Sequence, residues 1–220
     1  MKVLAIIPAR KGSKRLKNKN ILHLGKKPLV QITIEFAKKL NKIHDIIVST
    51  DDSKVMQICK KLNVKAPFLR PANLSGDKSS SFSVCTHAIN FYEKKYSKID
   101  AILLLQPTSP FRSIQAINSS IKSFKKLKTK SIVSVNSIKL NPLSIIKKKK
   151  YNSYLFKNTK NIFNINGNFY LIEKKLFLNK KKFFLPSTFL YKTKDFKQTI
   201  DIDDINDFKI AQSFLEKNTN

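Results

Sequence analysis

The chain has 220 residues and a formal net charge of +30 at pH 7, with 44 lysines and arginines against 14 aspartates and glutamates. Its length suits a single domain, 1–220. Two cysteines are too few for a disulfide-rich secreted protein, and no apolar run is long enough to span a membrane. We therefore expect a cytoplasmic location without membrane attachment. Because the basic residues are spread along the chain without a recognised nucleic-acid motif, a non-catalytic nucleic-acid-binding protein is only a remote alternative.

The first apolar run, Val3 to Ile7, is typical of a buried parallel strand. Pro8 ends it, and a loop rich in cations follows, with Gly12 and Ser13 inside it. Loops at the carboxyl ends of parallel strands line the crevice where ligands bind, and these residue types suit a polyphosphate. The loop matches neither GxxxxGK[ST] nor GxGxxG, and a solvated basic loop is the alternative interpretation. Its candidate phosphate ligands are Arg10, Ser13, Lys14 and Lys19.

The rest of the chain alternates apolar strand patterns with helical patterns. This alternation predicts an α/β fold with a mostly parallel central sheet flanked by helices. The predicted strands after the first are 45–50, 66–69, 101–105, 131–135 and one beginning at Asn166. The predicted helices are one beginning at Pro28, then 53–62, 82–92, 113–127 and 208–215.

The strand 101–105 is the clearest buried central strand, and it delivers a second polar loop, 106–110, to the same sheet edge as Arg10. Pro107 and Pro110 stiffen this loop, so polar groups on Gln106 and its neighbours lose little entropy on binding a ligand. An ordinary rigid turn is the alternative, but the position of the loop opposite the first one favours a site.

Two carboxylates near the end of the chain, Asp201 and Asp203, are candidates for metal binding. Side chains alternate in an extended stretch, so these two point the same way, and carboxylate oxygens suit Mg²⁺ together with substrate phosphates. The alternative is that Asp203 or Asp204 only caps the last helix.

Several motifs occur in a fixed order along nearly the whole chain. They are Ile7-Pro8-Ala9-Arg10, Gly12-Ser13-Lys14, Lys19-Asn20, Leu69-Arg70-Pro71-Ala72, Leu104-Leu105-Gln106-Pro107-Thr108-Ser109-Pro110, Asn166-Gly167-Asn168-Phe169-Tyr170 and Ile200-Asp201-Ile202-Asp203. This pattern resembles the acylneuraminate (nonulosonate) cytidylyltransferase family. The resemblance implies a Rossmann-like nucleotidyltransferase fold, transfer of CMP from CTP to a sialic- or legionaminic-type nonulosonic acid, release of pyrophosphate, and Mg²⁺ as cofactor.

The resemblance also implies roles for individual residues. The implied catalytic residues are Lys19, Arg10 and Asp203, and the implied metal ligands are Asp201 and Asp203. The implied nucleotide-binding residues are Arg10, Ser13, Lys14, Lys19, Asn20, Arg70 and Ser81. The implied sugar-binding residues are Gln106, Asn166, Tyr170, Phe183, Phe184 and Lys157. Ser81 has the alternative role of a helix N-cap, and Phe183 with Phe184 that of an aromatic pair in the core.

Residues from about 139 to 165 lack clean periodicity and, by the resemblance, form an arm that joins a homodimer and helps to complete the sugar site. The Arg-Gln pair usual about ten residues before the Asn-Gly motif is absent, and we expect Lys157 to take that place. The runner-up substrates are pseudaminic acid and 3-deoxy-manno-octulosonate. The enzymes for the latter carry a Gln-Gly-Asp-Glu-Pro type segment where this chain has 106–110.

Overall fold

The computed structural model describes residues 1–138, 146–148, 153–155 and 162–216. Its strands are β1 (Val3–Pro8), β2 (His23–Leu24), β3 (Lys27–Pro28), β4 (Asp45–Ser49), β5 (Ala101–Leu104), β6 (Ser131–Ser137), β7 (Ile146–Lys148), β8 (Ser153–Leu155), β9 (Phe163–Glu173) and β10 (Phe189–Lys192). Its α-helices are α1 (Leu29–Lys38), α2 (Ser53–Lys61), α3 (Ser81–Lys95), α4 (Ile114–Phe124), α5 (Lys174–Lys180) and α6 (Ile205–Glu216).

A six-stranded sheet forms the centre of the molecule, in the order β10-β6-β9-β5-β1-β4. β1 is parallel to both β4 and β5, and β10 is parallel to β6. β9 is antiparallel to its neighbours β5 and β6, so the other strands all run in one direction. The predicted α/β fold with a mostly parallel sheet flanked by helices is therefore confirmed.

Both faces of this sheet are covered, which explains why β1 is a continuous apolar run. Val3, Ala5 and Ile7 pack on one face with side chains of α1 and α4. Leu4 and Ile6 pack on the opposite face with side chains of α3 and α5. A strand buried on both faces has no solvent side for polar residues, so its sequence does not alternate.

A third apolar cluster joins the cationic loop to the end of the chain. Leu16 of the loop and Leu24 of β2 pack in it with Ile200 and Ile202, and residues of α6 complete it. This packing places the loop after β1 beside the segment that carries Asp201 and Asp203. It therefore connects the two ends of the sequence at one edge of the sheet.

Three local predictions differ from the structure. Residues 66–69 form no continuous strand, since the pairing here consists of isolated bridges, from Lys65 to Ile47 of β4 and from Leu69 to Thr50 just after β4. β9 begins before Asn166, since its first residues pair with the end of β6. The N-cap of α3 is Ser80, whose hydroxyl accepts a hydrogen bond from the Ser83 amide, and Ser81 is the first helical residue.

The predicted arm lies largely outside the described residues. Its described parts are β7 and β8, which pair antiparallel, and residues 162–165, where β9 begins and pairs with β6. The role of the arm in a dimer stays a prediction. The described helices include none that is both long enough and apolar enough to cross a membrane.

Candidate active site

The cationic loop after β1 is fixed by hydrogen bonds at both of its ends. The Asn20 side chain donates to the Arg10 carbonyl oxygen across 2.8 Å and so closes the loop on itself. At the other side, the Lys11 amide donates to an Asp51 carboxylate oxygen across 2.8 Å. The loop is thus held against β4 rather than free in solvent, unlike the alternative of a solvated basic loop.

A cavity of about 180 Å³ opens between this loop, the start of α3 and the loop after β5. Seven of the predicted site residues line it: Arg10, Ser13, Lys19, Asn20, Arg70, Ser81 and Gln106. A larger cavity of about 780 Å³ lies beside α1 and α4, and none of its described lining residues belongs to the predicted site. We therefore place the candidate active site at the smaller cavity, where the chemistry converges.

Arg70 is a buried cation of this cavity. Its side chain is only 3% exposed, and its terminal nitrogen lies 3.5 Å from an Asp51 carboxylate oxygen. Burial lowers the pKa of Arg70, and Asp51 partly offsets this effect. Within the described part of the chain, Arg70 Nε has no hydrogen-bond partner. Burying a guanidinium with an unsatisfied hydrogen-bond donor costs free energy unless a ligand accepts a hydrogen bond from it. Arg70 is therefore suited to bind a molecule that carries hydrogen-bond acceptors.

Four cations of the loop are paired two by two with two carboxylates. Arg10 and Lys14 contact the two oxygens of Asp77, at 2.7 and 2.9 Å. Arg15 and Lys19 contact the two oxygens of Asp203, at 2.8 and 3.0 Å. Sequence reasoning singled out neither Asp77 nor Arg15, since nothing local marks them. Both become recognisable only when distant segments come together.

Asp201 and Asp203 interact with each other, as their alternating positions predict. Burial is the largest effect raising the pKa of Asp201, and the charge of Asp203 acts in the same direction, against a hydrogen bond from the Thr108 side chain. Burial also opposes ionisation of Asp203, but the hydrogen bond and charge of Lys19, with Arg15, outweigh it and lower the pKa. Ile202 between them is buried, so the two carboxyl groups share the other side of the chain.

Asp201 and Asp203 supply carboxylate oxygens, which are hard metal ligands. Their negative charges repel each other, and a bound divalent cation would reduce that repulsion. The described residues include no cluster of three or more histidine, cysteine or acidic side chains that could hold a metal. Mg²⁺ commonly binds through one or two carboxylates while substrate phosphates and water complete its shell. Asp201 and Asp203 therefore fit such an ion. Asp204, next to them, caps α6 by accepting from the amides of Asn206 and Asp207.

Gly167 allows the acidic segment to pack closely against β9. Its φ is +71°, and a Cβ there would lie 2.9 Å from Ser109 Oγ and 3.2 Å from Asp201 Oδ2. Because β9 is antiparallel to β5, the residues before Tyr170 extend beyond the end of β5, where the 106–110 loop lies. The glycine is needed both for the backbone conformation and for the close approach.

The predicted sugar-binding residues occupy different environments. The Tyr170 ring packs 5.6 Å from that of Phe183, and burial, with the charge of Asp201, raises the pKa of Tyr170 to about 12. Phe183 also packs on Phe177, as the core alternative expects, whereas Phe184 is 46% exposed. Asn166 is buried and donates to Thr193 Oγ1. Lys157 lies outside the described residues.

Comparison with known proteins decides the family. The sequence matches the family described as Cytidylyltransferase over residues 4–218. The chain belongs to the cytidylyltransferase family. The resemblance to the acylneuraminate enzymes is thereby confirmed, and the protein is a nucleotidyltransferase.

Relatives of this cytidylyltransferase differ in the sugar acid that their names specify. The chain is 31% identical to CMP-N,N'-diacetyllegionaminic acid synthase of Legionella pneumophila, over 99% of this chain and 98% of that protein. It is 35% identical to N-acylneuraminate cytidylyltransferase of Escherichia coli, over 98% of this chain but only 52% of that protein, so it spans about half of that relative. It is 28% identical to pseudaminic acid cytidylyltransferase of Campylobacter jejuni, over 99% of this chain and 98% of that protein.

Solved structures support the fold. The structure of CMP:2-keto-3-deoxy-manno-octonic acid synthetase complexed with CTP matches with a TM-score of 0.71 and 16% identity, over 99% of this chain and 100% of that one. At that identity the likeness shows the nucleotidyltransferase fold alone.

Arg112 is a residue of this cytidylyltransferase to which the sequence analysis gave no role. Its Nε donates to the Asn168 carbonyl oxygen at 2.8 Å, and another nitrogen donates to the Gln106 carbonyl oxygen. A third contact reaches Thr33 Oγ1 at 3.3 Å. Arg112 therefore joins the Asn-Gly-Asn segment to the loop after β5, and burial lowers its pKa to about 9.

Proposed function

We propose that this chain transfers CMP from CTP to the anomeric hydroxyl of a sialic- or legionaminic-type nonulosonic acid, giving the CMP-sugar and pyrophosphate. The observation that carries the proposal is the convergence of Arg10, Ser13, Lys19 and Arg70 on one cavity at the carboxyl edge of β1 and β5. The nonulosonate relatives support the choice of acceptor class.

In the proposed reaction the sugar hydroxyl gives its proton to water and its oxygen bonds to the α-phosphorus of CTP. The bond from that phosphorus to the pyrophosphate oxygen breaks. Such a transfer depends on positioning and neutralisation of charge more than on covalent catalysis. We assign Arg10, Ser13 and Lys14 to the triphosphate, and the buried Lys19 to the charge that develops in the transition state.

The nucleoside part of CTP is assigned to the inner wall of the cavity. Arg70 lines this wall, and its guanidinium is buried with an Nε donor that no described residue accepts. Asn20 and Ser81 line the same cavity and add a side-chain amide and a hydroxyl. These polar groups, fixed by the loop closure and by α3, are suited to read a base or ribose by hydrogen bonds.

We assign Mg²⁺ to Asp201 and Asp203, in line with the donor chemistry of the pair. When bound, the ion would neutralise phosphate charge and lower the pKa of the attacking hydroxyl. Asp203 also holds Lys19 by an ion pair of 3.0 Å, so it can act in catalysis by orienting that ammonium group.

The acceptor sugar is assigned to the side of the cavity nearest β9. Gln106 lies at the cavity wall, and Tyr170 lies near Asp201 and against Phe183. Phe184 is exposed enough to meet an acyl group. Asn166, buried by its hydrogen bonds, would act by shaping β9, and we propose that Lys157 enters from the arm of a partner in a homodimer.

The chain is 31% identical to the legionaminic-acid relative and 28% identical to the pseudaminic-acid relative, each over nearly the full length of both chains. This difference supports the legionaminic type of acid ahead of pseudaminic acid. The test is pyrophosphate release from CTP and Mg²⁺ with N-acetylneuraminic, legionaminic, pseudaminic and 3-deoxy-manno-octulosonic acids in turn. We expect release with the first or second acid. Release only with the third or fourth would move the substrate to a runner-up, and no CTP binding at all would refute the proposed reaction.

A further inference from the structure

Asp77 forms two ion pairs with the cationic loop beside the candidate nucleotide site. It belongs to the segment between the short 3-10 helix Ala72–Leu74 and α3. Ser79 of this segment and Ser81, the first residue of α3, line the cavity wall. Its carboxylate contacts Arg10 at 2.7 Å and Lys14 at 2.9 Å. The two ion pairs therefore join the cationic loop to the segment that contributes Ser79 to the candidate nucleotide site.

The same two cations are those assigned to the triphosphate of CTP. An ionised carboxylate beside bound phosphates would place like charges a few ångströms apart, which is unfavourable even near a protein surface. The pairing with Lys14 and Arg10 lowers the pKa of Asp77, so this carboxylate is ionised at neutral pH. The triphosphate and the Asp77 contacts thus compete for one pair of cations.

We propose that Asp77 exchanges with the polyphosphate: it holds Arg10 and Lys14 before CTP enters, is displaced by the phosphates, and returns as pyrophosphate leaves. Asp77 thereby sets the affinity for CTP and pyrophosphate without taking part in the bond-making step. This inference rests on the proposed function.

Asp203 is the other carboxylate that bridges two cations of the loop, but unlike Asp77 it has a second proposed role. Asp203 lies beside Asp201 and has an assigned role with the metal. Among the described residues, the ion-pair partners of Asp77 are Arg10 and Lys14 only. Its side chain is 39% exposed, so it can leave these partners for water without a buried charge being stranded.

The test compares wild type with Asp77→Asn and with Asp100→Asn as a control for net charge. Asp100 is an exposed carboxylate at the opposite end of β5, where it accepts from the Lys2 amide. Isothermal titration measures binding of inorganic pyrophosphate and of CTP to each protein. We expect Asp77→Asn to bind both roughly two- to thirtyfold more tightly, the range for two exposed ion pairs, and Asp100→Asn to bind like wild type.

A double-mutant cycle with Lys14→Ala tests whether the gain in affinity from Asp77→Asn depends on Lys14. Lys14→Ala removes one of the two competed cations, so the gain from Asp77→Asn should be smaller in that background. Equal or weaker binding by Asp77→Asn, with wild type still binding CTP, would overturn the exchange. An equal gain in Asp100→Asn would assign the effect to bulk charge and would overturn it too. Failure of wild type to bind either probe would instead refute the proposed function on which the inference rests.

Discussion

Lys19 and Asp203 lie 184 residues apart in the chain, yet Lys19 Nζ donates to an Asp203 carboxylate oxygen across 3.0 Å. The apolar cluster of Leu16, Ile200 and Ile202 brings their segments together. Lys19 itself is only 8% exposed, so its charge acts where water screens it little. The candidate site is thus completed only when the last part of the chain has folded onto the first loop.

Replacing Lys19 by alanine should reduce turnover at least about 100-fold, because the cation assigned to the transition-state charge is lost. The fold should remain, since Asp203 keeps its ion pair with Arg15. Steady-state kinetics with CTP and the active sugar acid measure the effect. Lys17→Ala, at an exposed position of the same loop, is the control and should retain wild-type turnover. A Lys19→Ala enzyme as fast as wild type would remove Lys19 from the mechanism.

Replacing Gly167 by alanine should lower both stability and activity. The free energy of unfolding should fall by about 1 kcal/mol or more, because alanine at φ +71° is strained and its Cβ would press on Ser109 and Asp201. Gly25→Ala is the matched control. Gly25 has φ +63°, and a Cβ there would lie 3.0 Å from Leu215 but not within 4 Å of either acidic side chain.

Denaturant unfolding and kinetics on both glycine variants separate the two effects. Both should lose stability, and only Gly167→Ala should lose activity beyond what its remaining folded fraction explains. Equal activity losses in the two variants would mean that Gly167 contributes backbone conformation alone.

Replacing Arg112 by lysine should weaken sugar binding, because an ammonium group cannot span the three acceptors that the guanidinium contacts. We expect KM for the sugar acid to rise about tenfold and KM for CTP to change less, since Arg112 holds the Gln106 and Asn168 segments. Gln115→Ala, which lines the same larger cavity as Arg112, should leave both constants unchanged. An equal rise in both KM values would contradict the positioning role.

Replacing Asp45 by asparagine should destabilise the fold in a pH-dependent way. Asp45 accepts from Tyr92 at 2.7 Å and pairs with Lys65 at 2.8 Å. Burial opposes its ionisation, but the hydrogen bonds from Lys65 and Tyr92 outweigh this and lower the pKa. A lowered pKa gives stability that is present above the unfolded-state value of about 4 and is lost as the pH falls through the folded-state value.

Urea unfolding of wild type and Asp45→Asn between pH 7 and pH 3 measures this effect. At pH 7 wild type should be more stable by about 1–2 kcal/mol, and the difference should shrink below about pH 4. Asp100→Asn controls for net charge. A difference that stays constant over the whole range would mean that the Asp45 charge contributes nothing.

The sequence predicted the parts of the site that follow directly from strand order. The loops after β1 and β5 meet because both strands are parallel neighbours, and the apolar runs identify both strands. The pairing of Asp77 with Arg10 could not be predicted, because it depends on how the segment before α3 folds across the cavity. The N-cap of α3 was also beyond prediction, since Ser79, Ser80 and Ser81 are chemically equivalent candidates.

The contacts of β9 show a similar limit. The Asn-Gly-Asn motif predicted a site, but its asparagines make internal hydrogen bonds, with Thr193 for Asn166 and with the Phe111 carbonyl for Asn168. Their polar character therefore supports the irregular backbone around Gly167. A sequence pattern marks such residues as special without telling whether they touch a ligand or hold the residues that do.

The most direct test of the central claim is identification of the product. Purified protein is incubated with CTP, Mg²⁺ and legionaminic or N-acetylneuraminic acid, and the nucleotides are resolved by mass spectrometry. We expect a CMP-sugar formed in amounts equal to the pyrophosphate, and its loss in Lys19→Ala. Pyrophosphate release with CMP alone, or CTP bound but no CMP-sugar from any nonulosonic acid, would contradict it.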